Sequence, residues 1–259
     1  MRKSAIIMPF FALLAGASGY FLRFIELRNV FDEQTGLPRR GAGITFALIT
    51  LTVVFLIIII SFAINAGSRH TTPKGFENAF GTESLAYPLV FFIIGLLWLG
   101  STAKYFLDVY ALGEMPLSEL IFSVLSALSA ISVSLCAMEV YQDPRRKATL
   151  ALSIVPTLFM CFWLILLYRR NASNPILLSY CYQCLAIITS TLGFYFTSGF
   201  VYSRPAPRKA IMSYISAIFF CFITLADDLD ITIKLIFIAI IAINVVYSSM
   251  LLRNMKRKT

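Results

Sequence analysis

Residues 43–65 read GITFALITLTVVFLIIIISFAIN, a run without a single Asp, Glu, Lys, Arg or His. Crossing the hydrocarbon core of a bilayer takes roughly 20 helical residues, so this stretch alone is long enough to span one. It also lacks the period-two alternation of a barrel strand, whose spanning segments are only about 10 residues long. The segment therefore reads as a transmembrane helix. Working outward, comparable runs recur at 5–24, 86–108, 117–140, 148–167, 176–200, 210–226 and 231–252. Eight crossings consume about 160 positions and leave only short connections. The expectation is one integral membrane domain over residues 1–259, all-α, a polytopic transmembrane helical bundle of eight spans. The seventh span is the shortest and joins the eighth through Asp227, Asp228, Leu229 and Asp230. Seven spans with a broken or re-entrant last hairpin is the variant of this reading.

Composition agrees: 59% of residues are hydrophobic, 14% are charged, and the mean hydropathy is +0.81. A water-soluble fold has too little interior to hide that much apolar surface.

Charge placement gives an orientation, because cytoplasmic loops collect Lys and Arg. With the amino terminus inside, Arg2, Lys3, Arg69, Lys74, Arg145, Arg146, Lys147, Arg204, Arg208, Lys209, Arg253, Lys256, Arg257 and Lys258 all fall on the cytoplasmic face. The opposite face receives Arg23, Arg28, Arg39, Arg40, Arg169, Arg170 and Lys234 together with most of the acids. Both termini are then expected in the cytoplasm, of a cell whose plasma membrane holds the chain. The net charge of +9 is accounted for by inside loops facing anionic headgroups, so no nucleic-acid partner is expected. The lipid bilayer is the expected partner. Arg2 and Lys3 before an apolar run resemble a signal peptide, but no small-residue cleavage site is followed by a hydrophilic mature domain, so the segment reads as a retained anchor.

Small residues mark the packing faces. Ala12 and Gly16, then Ala15 and Gly19, repeat at four-residue spacing, which lets a neighbouring backbone come close where lipid gives helices no hydrophobic drive to associate. Ser126, Ala130 and Ser134 do the same in the fourth span, flanked by Ser123, Ser129 and Ser132. These hydroxyls are expected to return to the carbonyl one turn back rather than line a pathway.

The catalytic inventory is thin. With His70 as the only histidine, the paired histidines of a membrane metalloprotease are missing, as is a histidine to activate an intramembrane serine. There is no G-x-S-x-G elbow and no phosphate-cradling G-x-x-x-x-G-K-[ST]. No aspartate lies deep in a span. Cys181 and Cys184 form a C-x-x-C in the sixth span; without a thioredoxin-like setting they read as small hydrophobes rather than a redox pair. No metal or cofactor is expected, and ATP hydrolysis would have to come from a partner subunit such as an ATPase.

Ionisable residues near or within the membrane are then the candidates, because burying them unpaired costs several kcal/mol. Lys104 precedes Asp108 by one turn, and the two can pair on one helix face with Tyr105 beside them. Arg23 and Glu26 end the first span, Glu114 and Glu119 bracket the start of the fourth, and Asp227, Asp228, Asp230 and Lys234 lie between the seventh and eighth. Arg23, Glu26, Lys104, Asp108, Glu119, Asp227 and Asp228 are expected at one outer level, where they could line a polar vestibule. Lys104 is expected to face the bundle, compensated by Glu119, Asp227 or Asp228. Gln183 and Asn244 read as interhelical glue. A transporter, or the membrane subunit of a transport complex, fits these features best. A ligand-sensing receptor and a carboxylate-based membrane enzyme acting on lipid are the alternatives, and the small-molecule ligand is not legible.

Overall fold

A computed structural model of the chain describes residues 4–31, 41–71, 73, 75–82, 84–111, 113, 116–142, 151–172 and 176–256. The order is α1 (Ser4–Asn29), α2 (Gly43–Arg69), a short α3 (Phe76–Phe80), α4 (Ala86–Ala111), α5 (Leu117–Gln142), a 3-10 turn (Ala151–Ile154) running into α6 (Val155–Arg170), then α7 (Leu177–Val201), α8 (Pro207–Thr224) and α9 (Ile231–Asn254). No strand occurs among the described residues. The fold is an all-α helical bundle, and seven of its helices are long and apolar enough to cross a membrane.

The eighth long helix, α8, departs from the eight-span expectation. It has 18 residues and opens on Pro207, Arg208 and Lys209, so at 1.5 Å per residue it is about 27 Å long, just short of a hydrocarbon core of about 30 Å. It is an unbroken helix, and the count of seven spanning helices agrees with the seven-span variant. Every residue from Ser213 to Cys221 is buried, because α8 is packed against α1, α2, α7 and α9. Neighbouring helices, not lipid, form its surroundings.

The outer helices show the reverse distribution. Ile6, Ile7, Phe10, Leu14 and Phe21 project outward from α1, as do Phe46, Val53, Ile57 and Ile64 from α2. Contiguous apolar surface on this scale suits hydrocarbon and not water. On its other face α1 meets α8 through the predicted small residues: a methyl group built at Gly16 would stand 2.8 Å from Phe222 Cβ, and one at Gly19 2.6 Å from Ile223 Cγ1. The Phe222 and Ile223 side chains of α8 occupy the space a side chain on α1 would need, most rigidly at Gly16, where the near atom is Phe222 Cβ.

On α5, Ser123, Ser129 and Ser134 return their hydroxyls to Glu119, Leu125 and Ala130 as expected. Ser126 instead works across the helix boundary: it accepts from Trp98 Nε1 at 2.9 Å and lies 2.7 Å from Thr102 Oγ1. Ser132 likewise reaches the Leu152 carbonyl at 2.6 Å. Around them runs an aromatic core, with Phe122 and Phe159 against Trp163 and Trp163 against Phe237 at a centroid separation of 4.8 Å. Such ring contacts supply packing enthalpy where the hydrophobic effect supplies none.

Candidate functional site

The expected vestibule residues divide into three separate groups at the end of the bundle that carries Asp227 and Asp228. The first group is buried. Arg23, near the end of α1, is 0% exposed, and its three donor nitrogens are all used. Nε donates to Asp227 Oδ1 at 2.8 Å, Nη1 to Glu26 Oε2 at 2.8 Å and Nη2 to the Ser179 carbonyl at 2.8 Å. The face of Tyr182 lies 5.4 Å from the guanidinium carbon and the ring of Phe31 5.9 Å. Glu26, also 0% exposed, accepts from Thr45 Oγ1 on α2 at 2.7 Å through its second oxygen.

Local structure places each member. Residues three apart on a helix share a face, so Glu26 follows Arg23 into the interior. Asp227 sits in the link between α8 and α9, where its N–H donates to the Thr224 carbonyl and its own carbonyl accepts from Leu229. This tight turn aims the carboxylate back at α1. One oxygen meets Arg23, while Oδ2 is buried without a hydrogen-bond partner among the described residues.

One guanidinium therefore serves two buried carboxylates. With both ionised the triad carries a formal charge of −1, and Lys234, half-buried at the start of α9, acts on Asp227 as a further cation. Cys181 of α7 also faces the group. Asp228 and Asp230 point outward. Burial pushes the Asp227 carboxyl above its ordinary range, and Arg23 only partly opposes this. The arrangement can exchange a proton at Asp227 while keeping Arg23 paired with Glu26.

The second group joins α4, α5 and α6. Arg170 Nη2 donates to both Glu119 oxygens at 2.7 Å and to Tyr105 Oη at 2.8 Å, and Tyr105 donates to Glu119 Oε2 at 2.7 Å. The Arg170 side chain is 44% exposed, so this cluster faces the boundary and not the core.

The third group is Lys104 with Asp108, and here the expectation fails. Their side chains are 56% and 59% exposed and pair with each other at 3.5 Å, and with no other charged side chain among the described residues. Glu119, Asp227 and Asp228 do not compensate Lys104. The reason is rotation: adjacent helical residues are about 100° apart, so turning Tyr105 inward to Glu119 turns Lys104 outward. The single open vestibule is thus replaced by a sealed triad, a peripheral cluster and a surface pair. Glu114 lies outside the described residues.

The remaining candidates take bland positions. Cys181 and Cys184 are half-buried and not disulfide-bonded, and no group of metal-ligating side chains occurs among the described residues. Asn244 donates to the Ile240 carbonyl in its own helix. His70 Nδ1 lies 3.0 Å from the Ala66 carbonyl at the end of α2. Sequence reasoning had missed Thr45, Ser179, Tyr182 and, as the partner of Glu119, Arg170. The i,i+3 spacing of Arg23 and Glu26 was the one local signal available.

Fold and site together define a class: an all-α, multi-pass integral membrane protein with a buried, charged triad at one end of its bundle. No family model matches the chain, and neither a curated protein nor a solved structure is similar to it.

Proposed function

We propose that the chain is a membrane transport protein, or the membrane subunit of a transport complex, in which the Arg23–Glu26–Asp227 triad takes up and releases a proton. One observation carries this reading: a fully buried guanidinium shared by two buried carboxylates, with Asp227 Oδ2 unpartnered among the described residues. Ionisable groups in such positions cost several kcal/mol and are kept where they act. The excess acid favours a proton or cation over an anion, because Arg23 is already engaged by both carboxylates and the Ser179 carbonyl. A proton-linked site draws on the membrane gradient, so an ATPase partner is not required. The basic loops support an orientation with both termini in the cytoplasm and the triad at the extracytoplasmic end, in a plasma membrane. A carboxylate-based lipid enzyme is less well supported, because Glu119 and Asp227 lie in different clusters.

The test uses liposomes containing the protein and an enclosed pH-sensitive dye, challenged with cationic, anionic and zwitterionic solutes. Solute-dependent proton movement is expected in the wild type and in Lys104→Met, and not in Asp227→Asn. The reading is wrong if Asp227→Asn leaves both proton movement and the pH dependence of thermal stability unchanged.

A further inference from the structure

At the opposite, basic end of the bundle lies a cavity of about 910 Å³, with Glu77, Asn78, Tyr141, Arg253, Asn254 and Lys256 among its lining residues. Its walls are tied together. Asn254 Nδ2 donates to the carbonyls of Ala79 at 2.9 Å and Gly81 at 3.2 Å, fixing α3 to the end of α9. The Lys256 carbonyl accepts the Thr71 N–H at 2.8 Å, which holds the last residues of α9 against the end of α2. Arg253 and Lys256 are exposed and take part in none of the ion pairs among the described residues.

Tyr141 is shared between this cavity and an apolar hollow of about 330 Å³ lined by Leu85, Pro88, Leu89, Phe92 and Met138. Phe92 and Met138 are shared in turn with a third hollow of about 190 Å³ that runs past Gly95 to Leu99. The three adjoin through these shared walls as a trough, polar at the end and apolar along the seam between α4 and α5. Within this seam Gly95 packs directly on Ser134, so α4 and α5 come close there and the larger side chains stand to either side. From Leu85 to Leu99 it extends about 21 Å at 1.5 Å per residue. Half a hydrocarbon core is about 15 Å deep.

We propose that this trough binds one anionic glycerophospholipid of the leaflet on the basic side, with its phosphate between Arg253 and Lys256 and an acyl chain laid along the α4–α5 seam. Charge complementarity selects the headgroup: two cations without an ion-pair partner among the described residues line the cavity, and Glu77, also in the lining, offers an acceptor to a headgroup hydroxyl. The switch from polar to apolar lining falls at Tyr141, a residue type that favours the headgroup level. Free phosphate compounds satisfy only half the trough. The site stands on the membrane class alone and is independent of the transport reading.

Native mass spectrometry of the delipidated full-length protein tests the proposal, with phosphatidylglycerol, phosphatidylcholine and glycerol 3-phosphate as probes. One retained phosphatidylglycerol per chain is expected, in preference to phosphatidylcholine. The double variant Arg253→Gln, Lys256→Gln should lose about thirtyfold in that preference, while Arg204→Gln, at the same end but outside the cavity, keeps it. Arg253→Lys should retain the lipid, which separates lost charge from lost folding. Leu89→Trp, filling the exposed hollow, should weaken retention without altering headgroup preference. Equal retention of both lipids, an unaffected double variant, or glycerol 3-phosphate competing as well as the diacyl lipid would each overturn the proposal.

Discussion

Replacing Arg23 by methionine removes the one cation that holds two buried carboxylates apart. Glu26 Oε2 and Asp227 Oδ1 each lose a partner at 2.8 Å, and Tyr182 loses the cation at its face. Breaking a buried ion pair from one side costs about 3–5 kcal/mol, because a charge is left uncompensated; here two are left, so Arg23→Met should reach the upper end of that range. Asp227→Asn acts differently. It leaves a neutral Arg23–Glu26 pair, keeps an acceptor oxygen for Nε, and removes the excess negative charge, at the expense of an amide hydrogen pointed where Oδ2 has no partner. Those effects oppose each other, and the net change should stay within about 1 kcal/mol. Glu26→Gln falls between, because its amide nitrogen faces either Arg23 or Thr45. Denaturant-driven unfolding in mixed micelles can be followed by tryptophan fluorescence, since Trp98 and Trp163 are both buried. The expected order of loss is Arg23→Met, then Glu26→Gln, then Asp227→Asn. An Arg23→Met protein within 1 kcal/mol of the wild type, or an Asp227→Asn protein as unstable as Arg23→Met, would refute the assignment of a charge-sharing triad.

Four further outcomes follow from the same geometry. Because burial raises the Asp227 pKa in the folded chain, its contribution to stability is fully present below the ordinary carboxylate range and is lost as pH rises through the raised folded value; wild-type melting temperature should fall across that window, and an equally steep fall in Asp227→Asn would assign the titration to another group. Gly16→Leu drives a side chain into Phe222 Cβ and should cost about 1–3 kcal/mol or more by overpacking, measured against Ile7→Leu on the exposed face of α1; equal melting temperatures would mean that α1 and α8 do not meet there. Glu119→Gln and Lys104→Met should each change stability by no more than about 1 kcal/mol, since both sit in pairs with at least one half-exposed partner, and a loss of several kcal/mol in Lys104→Met would show that it is buried after all. In a cysteine-free background, Asp228→Cys should react with an impermeant thiol reagent in intact cells and Arg204→Cys should not, and labelling of both would overturn the proposed orientation.

The helices themselves were legible in the chain as written. Transfer of a segment into hydrocarbon is a sum over contiguous residues, so GITFALITLTVVFLIIIISFAIN declares a spanning helix wherever it is placed. Close packing at Gly16 and Gly19 was also readable, because a four-residue repeat of small side chains is a property of one helix. The seventh segment was the least legible for the same reason: Arg208 and Lys209 and its short length weaken a local sum, and only its neighbours on all sides make it a core element. Pairing of charges between helices belongs to the tertiary structure. Glu26 can be assigned to Arg23 from their spacing, but Asp227 lies 204 positions away and arrives through the turn that ends α8. Lys104 and Tyr105 are adjacent in sequence and face opposite ways, one to the surface and one to Glu119. Length and hydropathy determine that a helix crosses; its rotation about its own axis, set by what packs against it, determines which of its polar groups meet.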